Sequence, residues 1–343
     1  MSSIPIRSDD TSAAPAVAEP PVVAATWQER PAEGAWCPSE LVDHLGDGLA
    51  WLAGLGYRDA HAHTADTHPR WRAVAATRRG RVHAHAGTHR EDAYAVTAAG
   101  DVLVVVVSDG AGSSRYSRVG AEVTCREVGR AAAASVLGNN AARTPEALGA
   151  ALAAGVAAAC AALRALAGRA GVPAREFRCT ALAVALYDDG RGTGTLAAVQ
   201  VGDGVIVART ADGGVEVIGR GDAGEFSGEV SCFVPDACAD ARGAEVHTRP
   251  LAGVTDVLVA TDGVEDPFYP LARTGPALFT QLRDGVGAAL DGFQRQPTHG
   301  PVLGAGVPGA DAAAHLLDWL AFEKRGENDD RTLVALTRRA AGA

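Results

Sequence analysis

Residues 101–122 read DVLVVVVSDGAGSSRYSRVGAE, and this stretch decides the fold. The run 102–107 is unbroken Val and Leu, apolar at every position rather than at alternate ones, which predicts a strand covered on both faces. It stops abruptly in Ser108-Asp109-Gly110-Ala111-Gly112-Ser113, a carboxylate followed by two glycines and then by helix-forming sequence. Gly110 and Gly112 allow a tight turn and a close approach of backbone to a ligand. Asp109 therefore stands at the mouth of a rigid strand, a good position from which to hold a metal ion. An ordinary Asp-Gly turn would read the same way. What separates the two readings is whether the pattern recurs.

It does recur. Glu91-Asp92 opens one predicted strand, Asp262-Gly263 follows the strand 255–260, and Asp329-Asp330 immediately precedes the strand 332–336. A further Gly202-Asp203-Gly204 lies between two strands. If these strands lie side by side their ends converge, and so much negative charge in one place requires cations. Oxygen ligands without matching His or Cys select hard ions, Mg²⁺ or Mn²⁺. Two such ions about 3.5–4 Å apart lower the pKa of a shared water and clamp a phosphoryl group for in-line attack. The residues by themselves thus point to a metal-assisted phosphoester hydrolase.

Composition narrows the alternatives. Of the 31 basic residues only Lys324 is a lysine, which leaves no room for P-loop or Schiff-base chemistry built on lysine. A formal net charge of -10 disfavours a nucleic-acid groove and suits a protein that collects cations. The six cysteines show neither a CxxC pair nor zinc-ligand spacing and read as reduced thiols, with Cys125 and Cys160 filling core positions on helices. No signal peptide is recognisable and no run reads as membrane-spanning, so the expected localisation is cytoplasmic, with no membrane and no nucleic acid as partner.

Along the chain, residues 1–35 read as a disordered leader rich in Ala and Pro. Residues 36–70 form an extension: Leu41, Leu45, Leu49 and Leu52 predict one amphipathic helix within 37–57, and the His-containing stretch HAHTADTH reads as a solvated loop. A catalytic domain spans 71–343. Its predicted strands cover 71–77, 92–97, 102–107, 179–186, 195–201, 205–209, 215–218, 255–260 and 332–336. Its helices cover 113–137, 144–168, 275–290 and 309–324, and residues 222–249 read as irregular. Clustered strands with paired helices make the class α+β.

The order of these motifs resembles the metal-dependent protein phosphatase 2C family, in particular its bacterial branch. Gly80-Arg81-Val82-His83 followed by Glu91-Asp92-Ala93 is similar to the family's opening motif. Asp109 to Ser113 with Gly120-Ala121 matches its Asp-Gly-Ala-Gly-Ser step, and Val201-Gly202-Asp203-Gly204 its Gly-Asp segment. Gly224-Glu225-Phe226 resembles its flap entry, Thr261-Asp262-Gly263-Val264 its second Asp-Gly, and Asp329-Asp330-Arg331-Thr332 its closing motif. The resemblance covers roughly residues 71 to 338.

It implies a four-layer α-β-β-α sandwich of two antiparallel sheets flanked by helix pairs, holding two Mn²⁺ or Mg²⁺ ions at one end. Asp109 would bridge both ions, the Gly110 carbonyl would bind one, Asp262 and Asp329 would complete the other, and Asp92 would reach a metal directly or through water. The substrate implied is phosphoserine or phosphothreonine on a protein, attacked by the metal-bridging water. A Ser/Thr kinase or a sensor protein is the expected partner.

One departure stands out. Many relatives carry a phosphate-gripping arginine four residues before the position of Glu91, where this chain has Gly87. Arg90, Arg79 and Arg81 are candidates for that grip, since a phosphate dianion favours a bidentate donor. His83 is the candidate general acid toward the leaving alkoxide. A second substitution puts Cys179-Thr180-Ala181 where Gly-Thr-Thr is usual. The competing expectation is a catalytically weak or inactive module of the same fold that binds a phosphoprotein or kinase without cleaving it.

Overall fold

The computed structural model describes residues 28–138, 143–191, 194–219, 232–236, 245–285, 292–297, 299–304 and 306–339. The leader before residue 28 and the flap-like Gly224-Glu225-Phe226 lie outside them. The strands are β1 Ala60–Ala65, β2 Trp71–Arg78, β3 Ala93–Ala99, β4 Val102–Ser108, β5 Ala181–Tyr187, β6 Thr195–Val201, β7 Val205–Thr210, β8 Val215–Val217, β9 Glu245–Pro250, β10 Val254–Ala260, β11 Phe293–Arg295, β12 Glu323–Lys324 and β13 Arg331–Arg338. The helices are α1 Ser39–Val42, α2 Gly46–Leu49, α3 Arg81–Ala86, α4 Ser117–Gly138, α5 Pro145–Ala170, α6 Asp262–Glu265, α7 Leu271–Asp284 and α8 Gly309–Trp319.

Two antiparallel sheets carry the structure: a six-stranded one in the order β1-β2-β13-β10-β7-β8 and a five-stranded one in the order β3-β4-β5-β6-β9. The valine run of β4 shows why they stack. Val102, Val104 and Val106 point into a core shared with α4 and α5. Leu103, Val105 and Val107 point the other way, against Trp71, Ile206, Val257 and Val334 of the six-stranded sheet. The period-2 alternation of a strand, with both faces apolar, thus gives one helix-facing and one sheet-facing surface. On the far side Val74, Leu258 and Leu333 pack against Leu278, Phe279, Leu316 and Trp319 of α7 and α8. Four layers result, helix pair, sheet, sheet, helix pair, as the resemblance implied.

Several expectations need correction. The leucines 41, 45, 49 and 52 are all buried against α4 and α5, but Leu41 lies on α1, Leu49 on α2 and Leu52 on a 3₁₀ turn, with Leu45 between the two helices, rather than all on one helix. Gly46 adopts φ +65°, a left-handed conformation that breaks the helical path between them. The His tract is no loop: His61 and His63 belong to β1, which pairs with β2 at the sheet edge. Its AHAHTA alternation is the period-2 signal that a histidine-rich composition disguised.

The short helix α3 after Gly80 and the strand β9 were not anticipated. Cys160 is disulfide-bonded, whereas Cys37, Cys125 and Cys179 are free thiols. The membrane expectation also changes. Helix α5 has a mean hydropathy of 1.8 and is by length and composition long enough to span a bilayer, with 50% of that segment buried. Leu148, Leu152, Val156, Leu163 and Leu166 on it are buried in the core against the five-stranded sheet.

Candidate metal centre

Strand register brings the carboxylates to one end of the sandwich. Ala93 at the start of β3 lies opposite Ser108 at the end of β4, so Asp92 and Asp109 are neighbours. In the other sheet Ala260, ending β10, faces Leu333 of β13 and Val205 of β7. Asp262, Asp329 and the loop carrying Asp203 therefore gather at that same end. Carboxylate oxygens of Asp109, Asp203 and Asp262 lie within 4.8 Å of one another.

Each side chain is held from behind. The Asp109 N–H donates to the Thr180 hydroxyl at 2.8 Å, and the Asp109 carbonyl accepts from the Thr180 N–H at 2.8 Å. Gly110 bridges to Cys179 in an isolated antiparallel pairing. The Cys179-Thr180-Ala181 departure thus keeps Thr180, whose hydroxyl and N–H both hold the Asp-Gly turn. Asp262 is the first residue of α6, and Thr261 before it ties the two sheets together. Its hydroxyl donates to Asp92 Oδ2 at 2.9 Å and accepts from the Thr332 N–H at 3.1 Å. Thr180→Val should fold but loosen the Asp109 turn. Losses of 10- to 100-fold in metal affinity are common when such supporting bonds are cut. A change smaller than about threefold in Mn²⁺ titration would show that Thr180 does not position this turn.

The electrostatics favour a cation. Burial raises the Asp109 carboxyl well above the usual range, and the charges of Asp262, Asp92 and Asp329 push the same way. Asp262 is likewise raised well above its ordinary value by burial, then by Asp203, Asp329 and Asp92. Burial and the charge of Asp330 push Asp92 up to about 7. Among the described residues, the buried Asp92 Oδ1 and Asp262 Oδ1 have no hydrogen-bond partner. An all-oxygen donor set with orphaned buried oxygens and mutually repelling carboxylates fits a hard divalent cation.

Not every anticipated residue reaches this group. Asp329 is exposed and groups instead with His83 and Asp330, although its charge is felt at Asp92, Asp109 and Asp262. Asp203, which the sequence reading left out of the metal set, lies beside Asp262. Its signal, an acid between two glycines linking two strands, had been visible.

Asp330 is the buried member of the final pair. Its Oδ1 accepts the Gly80 N–H at 2.5 Å, its Oδ2 accepts the Glu91 N–H at 2.6 Å, and His83 Nδ1 lies 3.0 Å away. At Gly80 a Cβ would collide with the Asp329–Asp330 backbone, so only glycine permits this approach. Burial alone would depress the His83 imidazole. The hydrogen bond and charge of Asp330, helped by Glu91 and Asp329, outweigh it and push the group up to about 9.

Arg90 is turned away from the cluster. Its guanidinium donates to the carbonyls of Asp92 at 2.9 Å and Arg58 at 2.8 Å and lies near the Tyr57 ring. Arg79 is also engaged, with Asp59 at 3.0 Å and the His83 carbonyl at 2.9 Å.

A family model described as "Protein phosphatase 2C" matches residues 79–290. A bacterial serine phosphatase of known structure is 13% identical, with a TM-score of 0.53 over 79% of this chain and 98% of that one. A variant of a bacterial serine phosphatase carrying an Arg-to-Lys substitution is 12% identical, with a TM-score of 0.50 over 84% of this chain and 100% of its own. At these identities the likeness speaks to fold. No curated protein sequence matches. With the family model spanning more than half its length, and with two stacked antiparallel sheets between helix pairs, the chain belongs to the protein phosphatase 2C family.

Proposed function

We propose that this protein is a divalent-metal-dependent phosphatase that hydrolyses phosphoserine and phosphothreonine on proteins. The observation that carries the reading is the convergence of Asp109, Asp203 and Asp262 within 4.8 Å at the strand ends, with the buried Asp92 beside them. Asp92, Asp109, Asp203 and Asp262, the Gly110 carbonyl and, from the rim, Asp329 would hold Mn²⁺ or Mg²⁺. Bound there, such ions supply an activated water and neutralise charge on the phosphoryl group.

The chain's own residues supply the rest. Thr180 and Thr261 fix the orientation of Asp109 and Asp92, so the acidic cluster is preorganised. His83, held protonated at neutral pH by Asp330, can give its proton to the alkoxide that leaves when the phosphoester bond breaks. Because Asp330 already uses both carboxylate oxygens on backbone N–H groups, it serves to hold His83 and Glu91 rather than to bind an ion. A Ser/Thr kinase that places the phosphate is the natural opposing partner.

The test is hydrolysis of p-nitrophenyl phosphate and of phosphopeptides, appearing with Mn²⁺ and vanishing with chelator or in Asp109→Asn. Metal-loaded protein that turns over nothing on a broad phosphopeptide panel would leave the binding-module reading in its place. The general-acid role has its own signature. His83→Gln should cut turnover of phosphoserine peptides by about 10²-fold, the lower end for a general acid, yet scarcely touch p-nitrophenyl phosphate, whose leaving group needs no proton. Equal losses on both substrates would assign His83 a purely structural part.

A further inference from the structure

In a protein of formal net charge -10, six arginines line one cavity of about 470 Å³: Arg30, Arg78, Arg79, Arg81, Arg295 and Arg331. Three acids, Glu29, Asp59 and Glu323, line it too, which leaves an excess of about three positive charges. The cavity is separate from the acidic cluster. None of Asp92, Asp109, Asp203 and Asp262 lines it, and of α3 it is Arg81 and Ala84 that line the cavity while His83 reaches Asp330.

Three observations indicate that the cavity is built for a ligand rather than closed on itself. Arg78 of β2 and Arg331 of β13 stand directly opposite each other in the register, an arrangement of like charges that is destabilising unless something lies between them. Arg79 and Arg331 are 8% and 6% exposed, and among the described residues the buried Nε–H of each has no acceptor. Their remaining guanidinium nitrogens are committed, Arg79 to Asp59 and the His83 carbonyl, Arg331 to the carbonyls of Leu320, Phe322 and Glu327. Arg78, half-buried, has no hydrogen bond or ion pair among the described residues. The unengaged Arg78 guanidinium, set among five further arginines around one hollow, matches the acceptors of a phosphate dianion, which guanidinium forks bind well.

We propose that this cavity is a second anion site, one that binds a phosphate group apart from the metal centre. The group comes either from free inorganic phosphate or from a second phosphorylated residue of the substrate. The latter source rests on the phosphatase reading; the site itself does not.

The test therefore begins without catalysis. Full-length protein stripped of metal with chelator, whose acidic cluster repels anions, is titrated with inorganic phosphate by calorimetry. Saturable binding is expected. It should weaken at least about tenfold in Arg78→Ala/Arg295→Ala and be undiminished in Asp262→Asn. Both arginines are partly or largely exposed, and the double variant, which also relieves the Arg78–Arg331 repulsion, is expected to melt no lower than the wild type, which is measured alongside.

Peptides bearing one or two phosphoserines, assayed on metal-loaded enzyme, then separate the sources. A KM raised by the double variant only for the doubly phosphorylated peptide identifies a substrate-borne group. An unchanged KM for both, with weakened phosphate binding, identifies the free anion. Absence of phosphate binding to metal-free wild type, or binding that the double variant leaves intact, overturns the proposal.

Discussion

Asp262→Asn is expected to lower metal-dependent phosphatase turnover by at least about 10³-fold and, in the same molecule, to raise the melting temperature of the metal-free protein. The first effect follows from placing a neutral ligand where a charged one held the cation. A 10³-fold loss is about 4 kcal/mol of barrier, within what metal-ion catalysis supplies. The second follows from the crowding around that carboxyl. Asp203, Asp329, Asp92 and Asp266 all raise its proton affinity on top of burial, so in the absence of an ion the folded state carries unrelieved repulsion. Removing one member of the cluster should relieve on the order of 1–2 kcal/mol, a shift of about 2–4 °C per kcal/mol in a domain of this size. With saturating Mn²⁺ the order should reverse, because only the wild type gains the full stabilisation of bound metal. Thermal unfolding in chelator and in Mn²⁺ reads both signs. An Asn variant that melts below the wild type in chelator would mean that Asp262 makes stabilising contacts outweighing the repulsion, and the cluster would lose its standing as a cation site.

The second large effect is on pH. Asp92 moves from an ordinary 3.8 to about 7 on folding, and Asp109 and Asp262 move in the same direction. Between about pH 4 and 7 the folded state therefore keeps protons that the unfolded chain has released. Where the native state binds more protons, stability falls as pH rises, by about 1.4 kcal/mol per pH unit for each proton involved. His83 adds to the trend over a later window. Its folded value of about 9 lies above the ordinary 6.5, so the stability it contributes is full below about 6.5 and lost on approaching 9. Metal-free protein should accordingly lose several kcal/mol from pH 5 to pH 9, while Mn²⁺-loaded protein should show a much flatter profile up to neutral pH. Denaturant midpoints at pH 5, 7 and 9, with chelator and with Mn²⁺, measure this. A chelated protein whose midpoint is flat or rises across the range would refute the picture of carboxyls that keep their protons because ionising them would bring repulsion.

How much of this was legible in the sequence depended on how local the cause was. The valine run 102–107 announced a strand with two covered faces because its physics is local, and the recurring acid at strand ends announced the site for the same reason. What escaped depended on contacts between distant residues. Arg90 looked like a phosphate grip from its place next to Glu91, yet its guanidinium is captured by carbonyls of Arg58 and Asp92. Asp329 and Asp330 are equivalent acids in sequence, and only the approach of Gly80 and Glu91 makes the second a buried acceptor and leaves the first on the rim. The predicted 37–57 helix kept its leucine stripe, but Gly46 broke its axis, since burial of the stripe needs only the spacing and not a continuous helix. The His tract misled because its composition suggested metal or solvent, whereas its alternation was that of a strand.

The position of β13 has a consequence for how the protein comes into being. Within the six-stranded sheet it lies between β2 and β10, although every other strand of both sheets precedes it in the chain. During synthesis β2 and β10 can each be complete while the gap between them stays open, with two unpaired edges facing one another. The same late segment carries Asp330, which tethers Gly80 and Glu91, and Thr332, which bonds Thr261. A nascent chain therefore cannot assemble a working centre early. The site and the middle of the sheet are completed together by a strand made after all the others of both sheets, so the intermediate to guard against aggregation is one in which those strands are formed and this one is not.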